Sequence, residues 1–182
     1  MKLAAGIDIG GTNTVFGLVD ENGKIIHRDT ILTKKYTNAE ELAKATSEKI
    51  IKSIKDFESQ ISNFEFVGVG IGAPNGNYFN GTIEFAPNLN WKGVIPLAAY
   101  FEKHTGVKAV LTNDANAAAM GEMIFGAAKG MKDFVFITLG TGLGSGIVVN
   151  GDLVYGHDGF AGEMGHVIVI QNGRQCGCGR KG

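Results

Sequence analysis

Several features that are common in secreted, membrane and nucleic-acid-binding proteins are scarce in this sequence. Its 182 residues include 2 cysteines, 3 prolines and 1 tryptophan. Two cysteines make no disulfide framework, so the sequence predicts a protein of the reducing cytoplasm. The formal net charge of −1 gives no electrostatic reason to expect nucleic acid or an anionic membrane as a partner. The opening MKLAAGIDIGG is too short and too glycine-rich for a signal peptide, and no apolar run approaches a membrane span.

Glycine is the abundant residue. The chain has 28 glycines, about twice the average usage of roughly 7%. They lie between apolar runs rather than in a low-complexity tract, which predicts many tight turns or places where backbone approaches a ligand closely. With 44% hydrophobic and 19% charged residues, the chain has the composition of a globular protein of one large or two small domains.

The hydrophobic pattern predicts a mixed α/β fold with antiparallel strands first and parallel strands later. Asn22-Gly23 is typical of a hairpin turn, and Asn38 with Glu41 fits a capping arrangement at the start of a helix that reaches about Ile61. In chain order we predict strands over residues 2–9, 14–20 and 24–32, a helix over 38–61, a strand over 64–74, a helix over 95–106, a strand over 107–113 and a helix over 114–128.

The opening layout returns after Lys132. Residues 133–156 read as a strand, a Gly/Thr loop, a second strand, an Asn-Gly turn and a third strand, as residues 2–27 do. β-Hairpins resemble one another, so one interpretation needs no common origin. Two Gly/Thr loops in the same place relative to their strands favour a duplication, in which two lobes face each other and each presents a glycine loop.

The first loop is Asp8-Ile9-Gly10-Gly11-Thr12-Asn13-Thr14. Its glycines let backbone N–H groups converge on an anion, and its Thr and Asn side chains add donors. Asp8 ends a buried strand and can hold Mg²⁺ through water. The alternative is a tight hairpin whose turn is capped by Asp8.

The second loop runs from Thr138 to Gly146 with the sequence TLGTGLGSG. It does not match a dinucleotide-binding fingerprint, because the third glycine is wrongly spaced and a strand follows where a helix is needed. No Gly-Lys-Ser/Thr of a Walker loop occurs in the sequence. A structural bulge is one interpretation. Alternating glycines beside two threonines favour a phosphate cradle.

Asn113 and Asp114 end a predicted strand and open a helix. Both residue types are ordinary N-caps. The helix N-terminus also stabilises an ionised carboxylate, and the ends of parallel strands are where α/β sheets bind ligands. Asp114 is therefore a candidate acceptor for a hydroxyl proton, and phosphoryl transfer needs little more than positioning and charge neutralisation.

The last polar segment contains Glu163 and His166 between glycines, just before a predicted strand. A single histidine is more often structural than a ligand. Here it precedes Cys176-Gly-Cys178, and thiolates with imidazole suit zinc. These residues supply three donors of a tetrahedral set.

Together these segments resemble the ROK sugar kinases of the actin-like, ribonuclease H-like ATPase superfamily. The matching segments are DIGGTNT, GIGAPNG, APNLNW, NDANAAAMGE, TLGTGLGSGI and GEMGH…CGCGRKG, in that order along the whole chain. The resemblance implies ATP-dependent phosphorylation of a hexose at its 6-hydroxyl, and the bacterial glucokinases are the most similar branch. It further implies Mg²⁺ and a structural Zn²⁺ as cofactors and a homodimer as the full-length state.

The resemblance also implies a role for each matching residue. The catalytic base is Asp114. The sugar contacts are Asn113, Glu163, His166 and Asn88, with Gly72, Asn75 and Gly76 near the same pocket. The ATP and Mg²⁺ contacts are Asp8, Gly10, Gly11, Thr12 and Asn13 from one lobe and Gly140, Thr141 and Gly142 from the other. The zinc ligands are His166, Cys176 and Cys178.

The sequence departs from the family pattern at Gly182. That pattern reads Cys-x-Cys-Gly-x-x-Gly-Cys-x-Glu, and the sequence ends at the glycine before the third cysteine. We therefore expect a fragment without the fourth zinc ligand, a further sugar-binding Glu and the adenine pocket. The expected parts are a complete N-terminal lobe over residues 1–114, and a connecting helix with the start of the C-terminal lobe and its zinc loop over residues 115–182.

Three alternatives to a glucokinase stay open. An N-acylhexosamine kinase, acting on N-acetylmannosamine or N-acetylglucosamine, would use the same Glu163 and His166. A sugar-sensing transcriptional regulator of the ROK type would carry a DNA-binding domain ahead of the first glycine loop, and that loop begins at Asp8 here. A non-enzymatic binding module would use the glycines for turns alone.

Overall fold

The computed structural model describes residues 1–58, 63–140 and 142–182. The strands are, in chain order, β1 (Lys2–Ile9), β2 (Asn13–Asp20), β3 (Ile25–Leu32), β4 (Glu65–Ala73), β5 (Gly76–Asn77), β6 (Thr82–Glu84), β7 (Val94–Ile95), β8 (Ala109–Asn113), β9 (Phe134–Leu139), β10 (Leu143–Val149) and β11 (Asp152–Leu153). The helices are α1 (Ala39–Glu58), α2 (Leu97–Thr105) and α3 (Asp114–Phe125), with short 3₁₀ turns at Thr33–Lys35 and Met164–His166.

A five-stranded central sheet has the order β3-β2-β1-β4-β8. The β1–β2 and β2–β3 pairs are antiparallel, and the β1–β4 and β4–β8 pairs are parallel, as the sequence predicts. Alternate residues of β1 are buried, from Leu3 to Ile9, because successive side chains point to opposite faces of a strand. Because β1, β4 and β8 are parallel, their carboxyl ends meet at one edge of the sheet.

One hydrophobic core joins this sheet to α1 and α2. Its fully buried members include Phe16 from β2, Leu42 and Ile50 from α1, and Phe101 from α2. Burying side chains of this size stabilises the fold by roughly 1.5–3 kcal/mol each. The Nζ of Lys103 donates to Glu40 Oε1 at 2.6 Å and links the two helices at the surface.

The helix boundaries follow local chemistry. Asn38 Oδ1 accepts from the Glu40 N–H at 2.8 Å, which confirms Asn38 as a cap at the start of α1, although its partner is Glu40 and not the predicted Glu41. Gly106 ends α2 in the left-handed region at φ +74°, where glycine is favoured. The predicted end of α1 near Ile61 lies outside the described residues. No helix among the described residues is long and apolar enough to cross a membrane.

A second sheet of order β11-β10-β9 packs on α3. It repeats the layout of β1, β2 and β3, although β11 has only 2 residues. The Asn-Gly dipeptides form two different turns. Asn150 and Gly151 both have positive φ (+54° and +85°), as a two-residue type I′ hairpin requires. At the first turn only Gly23 does, and Asp20 Oδ1 accepts from the N–H groups of Asn22 and Lys24 at 2.9 Å each.

β9 forms one edge of the second sheet. Its residues Val135, Ile137 and Leu139 point away from α3, and their exposed fractions are 49, 50 and 81%. Phe134 and Phe136 alternate with them and pack toward α3. The second sheet is therefore apolar on both faces at this strand.

The structure corrects the sequence prediction at two places. Between β4 and α2 in the sequence, where no strand is predicted, the chain forms a small sheet of order β5-β6-β7. The strand predicted after His166 is absent: Met164–His166 is a 3₁₀ turn, and the residues 167–170 that follow have exposed side chains, with Val169 85% exposed. This β-branched run has strand propensity, but no strand in the described part of the chain pairs with it, and propensity alone does not form a sheet.

Candidate active site

The first glycine loop lies against the loop that carries Asn88. A Cβ added to Gly11 would lie 2.5 Å from the Asn88 carbonyl oxygen, so only glycine fits there without a shift. The Asn88 loop is fixed by the buried Leu89 and by Trp91, whose Nε1 donates to the Tyr36 carbonyl at 3.1 Å. A residue predicted to meet sugar and one predicted to meet phosphate are thus neighbours.

Each glycine loop is closed by a hydrogen bond from its first glycine. The Gly10 N–H donates to the Asn13 carbonyl, and the Gly140 N–H donates to the Gly142 carbonyl, both at 2.9 Å. In this conformation these two N–H groups are therefore occupied and do not point freely into the loop. Thr141 lies outside the described residues.

Asp8 and Asp114 both lie at the carboxyl edge of the central sheet. Asp8 is the last but one residue of β1, and Asp114 follows β8 as the first residue of α3. Both line a cleft of about 880 Å³, together with Gly72, Thr112 and Thr138. Burial raises the pKa of Asp8, and the negative charge of Asp114 raises it further. A cation or a phosphate-bound metal near both carboxylates would relieve this repulsion.

Asn113 is the N-cap of α3. Its Oδ1 accepts from the Ala115 N–H at 2.9 Å, and Asp114 Oδ1 accepts from the same group at 2.8 Å. The ordinary capping interpretation is therefore correct for Asn113. The Asp114 carboxylate accepts from the same N–H and also lines the cleft. The N-terminus of α3 therefore carries both a capping residue and a carboxylate that borders the cleft.

Gly72 and Gly76 bring backbone close to the Asp114 turn. A Cβ on Gly72 would lie 3.2 Å from Ala117 Cβ, and one on Gly76 would lie 2.4 Å from the Thr112 carbonyl oxygen. Both positions therefore exclude larger residues for steric reasons. Asn75 has φ +51° and its Nδ2 donates to the Glu84 carbonyl at 2.9 Å, so this predicted sugar contact supports the β5–β6 hairpin.

The second glycine loop borders the same helix turn. A Cβ on Gly144 would lie 3.2 Å from Ala115 Cβ, and one on Gly146 would lie 2.7 Å from Ala119 Cβ. The start of β10 consequently packs directly on α3, beside Asp114. A Cβ on Gly140 or Gly142 would meet no described atom within 4 Å, so there is space beside these two glycines among the described residues.

Glu163 and His166 lie on the 3₁₀ turn that packs against β10, and both side chains are exposed. They are not among the residues that line the cleft around Asp114. The sequence interpretation missed the residue that fixes this turn. Ser145 is buried on β10, its Oγ donates to the Gly162 carbonyl, and it accepts from the Met164 N–H at 3.1 Å.

His166, Cys176 and Cys178 form a cluster. Their potential ligand atoms all lie within 4.8 Å of one another. A hydrogen bond from the backbone of Arg180 lowers the pKa of Cys178 to about 7, and hydrogen bonds from Cys176 and His166 contribute. Two thiols and an imidazole at this separation fit a tetrahedral zinc site with one further ligand.

The sequence interpretation also missed an aromatic pair that lines the cleft. Tyr78, from the β5–β6 hairpin, stacks on Tyr155, which follows β11, and both line the cleft. Burial raises the pKa of Tyr155. Asn77 Nδ2 donates to the Asp158 carbonyl at 3.0 Å beside this pair. The two tyrosines are far apart in sequence, and neither lies in a recognisable motif, so only the tertiary structure reveals the contact.

The model of the ROK family matches residues 4–182. The chain belongs to the ROK family. It is 41% identical over 186 residues to a glucokinase of Streptomyces coelicolor, 37% identical over 178 residues to an N-acetylmannosamine kinase of Haemophilus influenzae, and 34% identical over 182 residues to the xylose repressor of Bacillus subtilis.

The ROK fold is equally evident in three dimensions. The crystal structure of a glucokinase from Streptomyces griseus, in complex with glucose and AMPPNP, aligns with a TM-score of 0.79 at 39% identity. The alignment covers 99% of this chain and 55% of that one. The predicted mixed α/β fold of the actin-like ATPase type is confirmed. The chain spans about half the length of the curated relatives it matches, for example 55% of the S. coelicolor protein.

Proposed function

We propose that the full-length protein transfers the γ-phosphoryl group of ATP to the 6-hydroxyl of a hexose, and that this hexose is glucose. The observation that carries the proposal is the pair Asp8 and Asp114, which face one cleft at the carboxyl edge of the sheet. Phosphoryl transfer requires little beyond positioning and charge neutralisation, and this edge combines both with two glycine loops.

Asp114 is the proposed base. It accepts the proton of the sugar 6-hydroxyl while the oxygen forms a bond to the γ-phosphorus, and the bond from that phosphorus to the β-γ bridging oxygen breaks, leaving ADP. The N-terminus of α3 and the Ala115 N–H hold the carboxylate in place, as the 2.8 Å hydrogen bond indicates. Base catalysis of this kind typically contributes 10²–10⁴-fold.

Asp8 is the proposed contact to Mg²⁺. Its pKa is raised by burial and by Asp114, and a dication beside the two carboxylates would offset their repulsion. When bound with ATP, Mg²⁺ supplies charge neutralisation at the phosphate oxygens. The proposed phosphate contacts of the loops are Gly10, Gly11, Thr12 and Asn13, together with Gly140, Thr141 and Gly142.

The sugar hydroxyls are assigned to Asn113, Asn88, Glu163 and His166. The contact between Gly11 and Asn88 supports a sugar site adjacent to the phosphate loop. We further propose that His166 binds a structural Zn²⁺ with Cys176 and Cys178, since imidazole has two nitrogens and can ligate with one while the other faces the sugar. We also propose that the full-length protein is a homodimer and that it acts in the cytoplasm, where ATP is available.

A second candidate is an N-acylhexosamine kinase. The N-acetylmannosamine kinase of H. influenzae is 37% identical over 97% of this chain. The same residues would serve this chemistry, because the 6-hydroxyl and the acetylated position lie on different sides of the sugar. Only the space around C2 of the sugar would differ.

The test is a side-by-side assay with the product of the complete reading frame. ATP-dependent phosphorylation of glucose, mannose, N-acetylglucosamine and N-acetylmannosamine would be measured with wild type, Asp114→Asn and the exposed control Asp152→Asn. We expect preference for glucose, a loss of at least about 100-fold in kcat for Asp114→Asn with sugar binding retained, and an unchanged control. Sugar binding without turnover in the wild type would instead favour a sensor, as in the xylose repressors.

A further inference from the structure

Ser145 makes both of its hydrogen bonds to one short segment. The residue is 6% exposed, so its hydroxyl has little access to water. Its Oγ donates to the Gly162 carbonyl and accepts from the Met164 N–H at 3.1 Å. These two backbone groups flank Glu163 and are bonded to each other, because the Met164 N–H also donates to the Gly162 carbonyl at 2.8 Å. Ser145 is the one described side chain that hydrogen-bonds to both of them. A buried hydroxyl that satisfies groups on both sides of one residue fixes the backbone of that residue.

The rest of the segment is attached to β10 by backbone packing. A Cβ on Gly165 would lie 2.3 Å from the Leu143 carbonyl oxygen, so the two backbones are in direct contact. Gly162 adopts φ +89°, which bends the chain toward Ser145. The His166 N–H donates to the Glu163 carbonyl at 3.0 Å and closes the 3₁₀ turn. The backbone is thus held from one side, while the Glu163 side chain stays exposed.

We propose that Ser145 is the positioning residue of the segment 162–166, and that its hydroxyl sets the place of Glu163 and His166 for the sugar hydroxyls. The functional part of this inference rests on the proposed function. Ser145 itself is buried beneath the turn, so it acts through the backbone and does not touch the sugar. Glycine or alanine at this position would keep the strand but would remove the hydroxyl that ties this pair of groups to β10, and the Gly162 carbonyl and the Met164 N–H would then be bonded only to each other.

Ser145→Ala in the full-length protein tests the kinetic consequence. The KM for the hexose is expected to rise on the order of tenfold, because a lost buried hydrogen bond corresponds to about that factor. The KM for ATP is expected to stay at the wild-type value, since the glycine loop backbone is unaltered. Ser145→Thr keeps the hydroxyl on a β-strand and is expected to retain the KM for the hexose.

The matched control is Ser47→Ala. Ser47 is fully buried in α1, and its hydroxyl has no hydrogen-bond partner among the described residues. This variant removes the same atom from an equally buried site, so it reports the general cost of a core Ser→Ala change. A rise in hexose KM in both alanine variants would overturn the proposal.

Amide hydrogen exchange supplies a readout that is independent of activity. Peptides covering residues 162–166 are expected to exchange faster in Ser145→Ala than in wild type, Ser145→Thr and Ser47→Ala. Unchanged exchange in Ser145→Ala would overturn the positioning role. If the wild type phosphorylates no hexose, the proposed function fails, but the exchange experiment still decides whether Ser145 holds the segment.

Discussion

Tyr78 and Tyr155 stack with ring centroids 4.3 Å apart and ring planes 11° from parallel. Tyr78 belongs to the β5–β6 hairpin, and Tyr155 follows the last strand of the second sheet. Phe79 contacts Tyr155 as well, at a centroid distance of 5.9 Å. This aromatic contact, with the hydrogen bond from Asn77 to Asp158, connects the hairpin to the second sheet beside the cleft.

Tyr155→Ala is expected to lower the free energy of unfolding by at least about 1 kcal/mol, since a stacked aromatic pair contributes roughly 0.5–1.5 kcal/mol beyond its buried area. Chemical denaturation would measure the change. Tyr155→Phe keeps the ring and serves as the control. Equal stability of the alanine and phenylalanine variants would show that the stack contributes nothing.

Asp114→Asn is expected to move the pKa of Asp8 down toward its ordinary value, because it removes the negative charge that adds to the effect of burial. Carboxyl-carbon NMR titration would follow Asp8 directly. An acid whose pKa is raised in the folded state favours folding less as the pH rises through that pKa. The free energy of unfolding should therefore fall less in the variant as the pH rises from 3.8, the ordinary pKa, to the raised pKa of Asp8. An Asp8 pKa that is the same in wild type and variant would contradict the proximity of the two carboxylates.

Gly11→Ala is expected to impair binding of both substrates. The added Cβ would lie 2.5 Å from the Asn88 carbonyl oxygen, and backbone must shift to make room. Calorimetric titration with the hexose and with ATP would measure both affinities. Gly121→Ala is the control, because nothing described lies within 4 Å of its added Cβ, and Ala within α3 should stabilise the protein by up to about 1 kcal/mol. Wild-type affinities in Gly11→Ala would refute the steric argument.

Cys178 is expected to react with iodoacetamide at a rate that rises with pH around a midpoint of about 7, because its pKa is lowered to that value. The thiolate forms as the pH increases through the midpoint, so alkylation is slow below it. Zinc should protect Cys178 if it binds the cluster with His166 and Cys176. Mass spectrometry of the metal-free and zinc-loaded protein would measure this, with His166→Ala as the variant expected to lose protection.

Much of the fold could be predicted because its signals are local. The strands β1, β2 and β3 are short runs rich in apolar residues, bounded by a Gly/Thr loop and an Asn-Gly turn, and the helix at Asp114 follows a strand that leads into two capping residues. The order of these elements predicts the direction of the strands correctly, because a short hairpin turn joins antiparallel strands and an intervening helix joins parallel ones. The short strands β5 and β6 have 2 and 3 residues, too few to show a period, so no sequence pattern indicates them.

The prediction of a strand after His166 is wrong, and it shows where local sequence signals fail. Residues 167–170 have the composition of a strand, but a strand needs a partner, and pairing is decided by tertiary structure. The residues of the candidate site also divide into those that the sequence indicates and those that it does not. The glycine loops and Asp114 are visible as motifs, whereas Ser145 and Tyr155 act through contacts with residues distant in sequence.

The exposed side of β9 affects how this polypeptide behaves in concentrated solution. A strand at the edge of a sheet offers unpaired backbone groups, and here Val135, Ile137 and Leu139 add an apolar surface beside them. Two copies of the 182-residue chain can place these strands side by side, so light scattering should show association that grows with concentration. Replacing Ile137 with lysine would keep such samples monodisperse, because a charge on an edge strand opposes pairing.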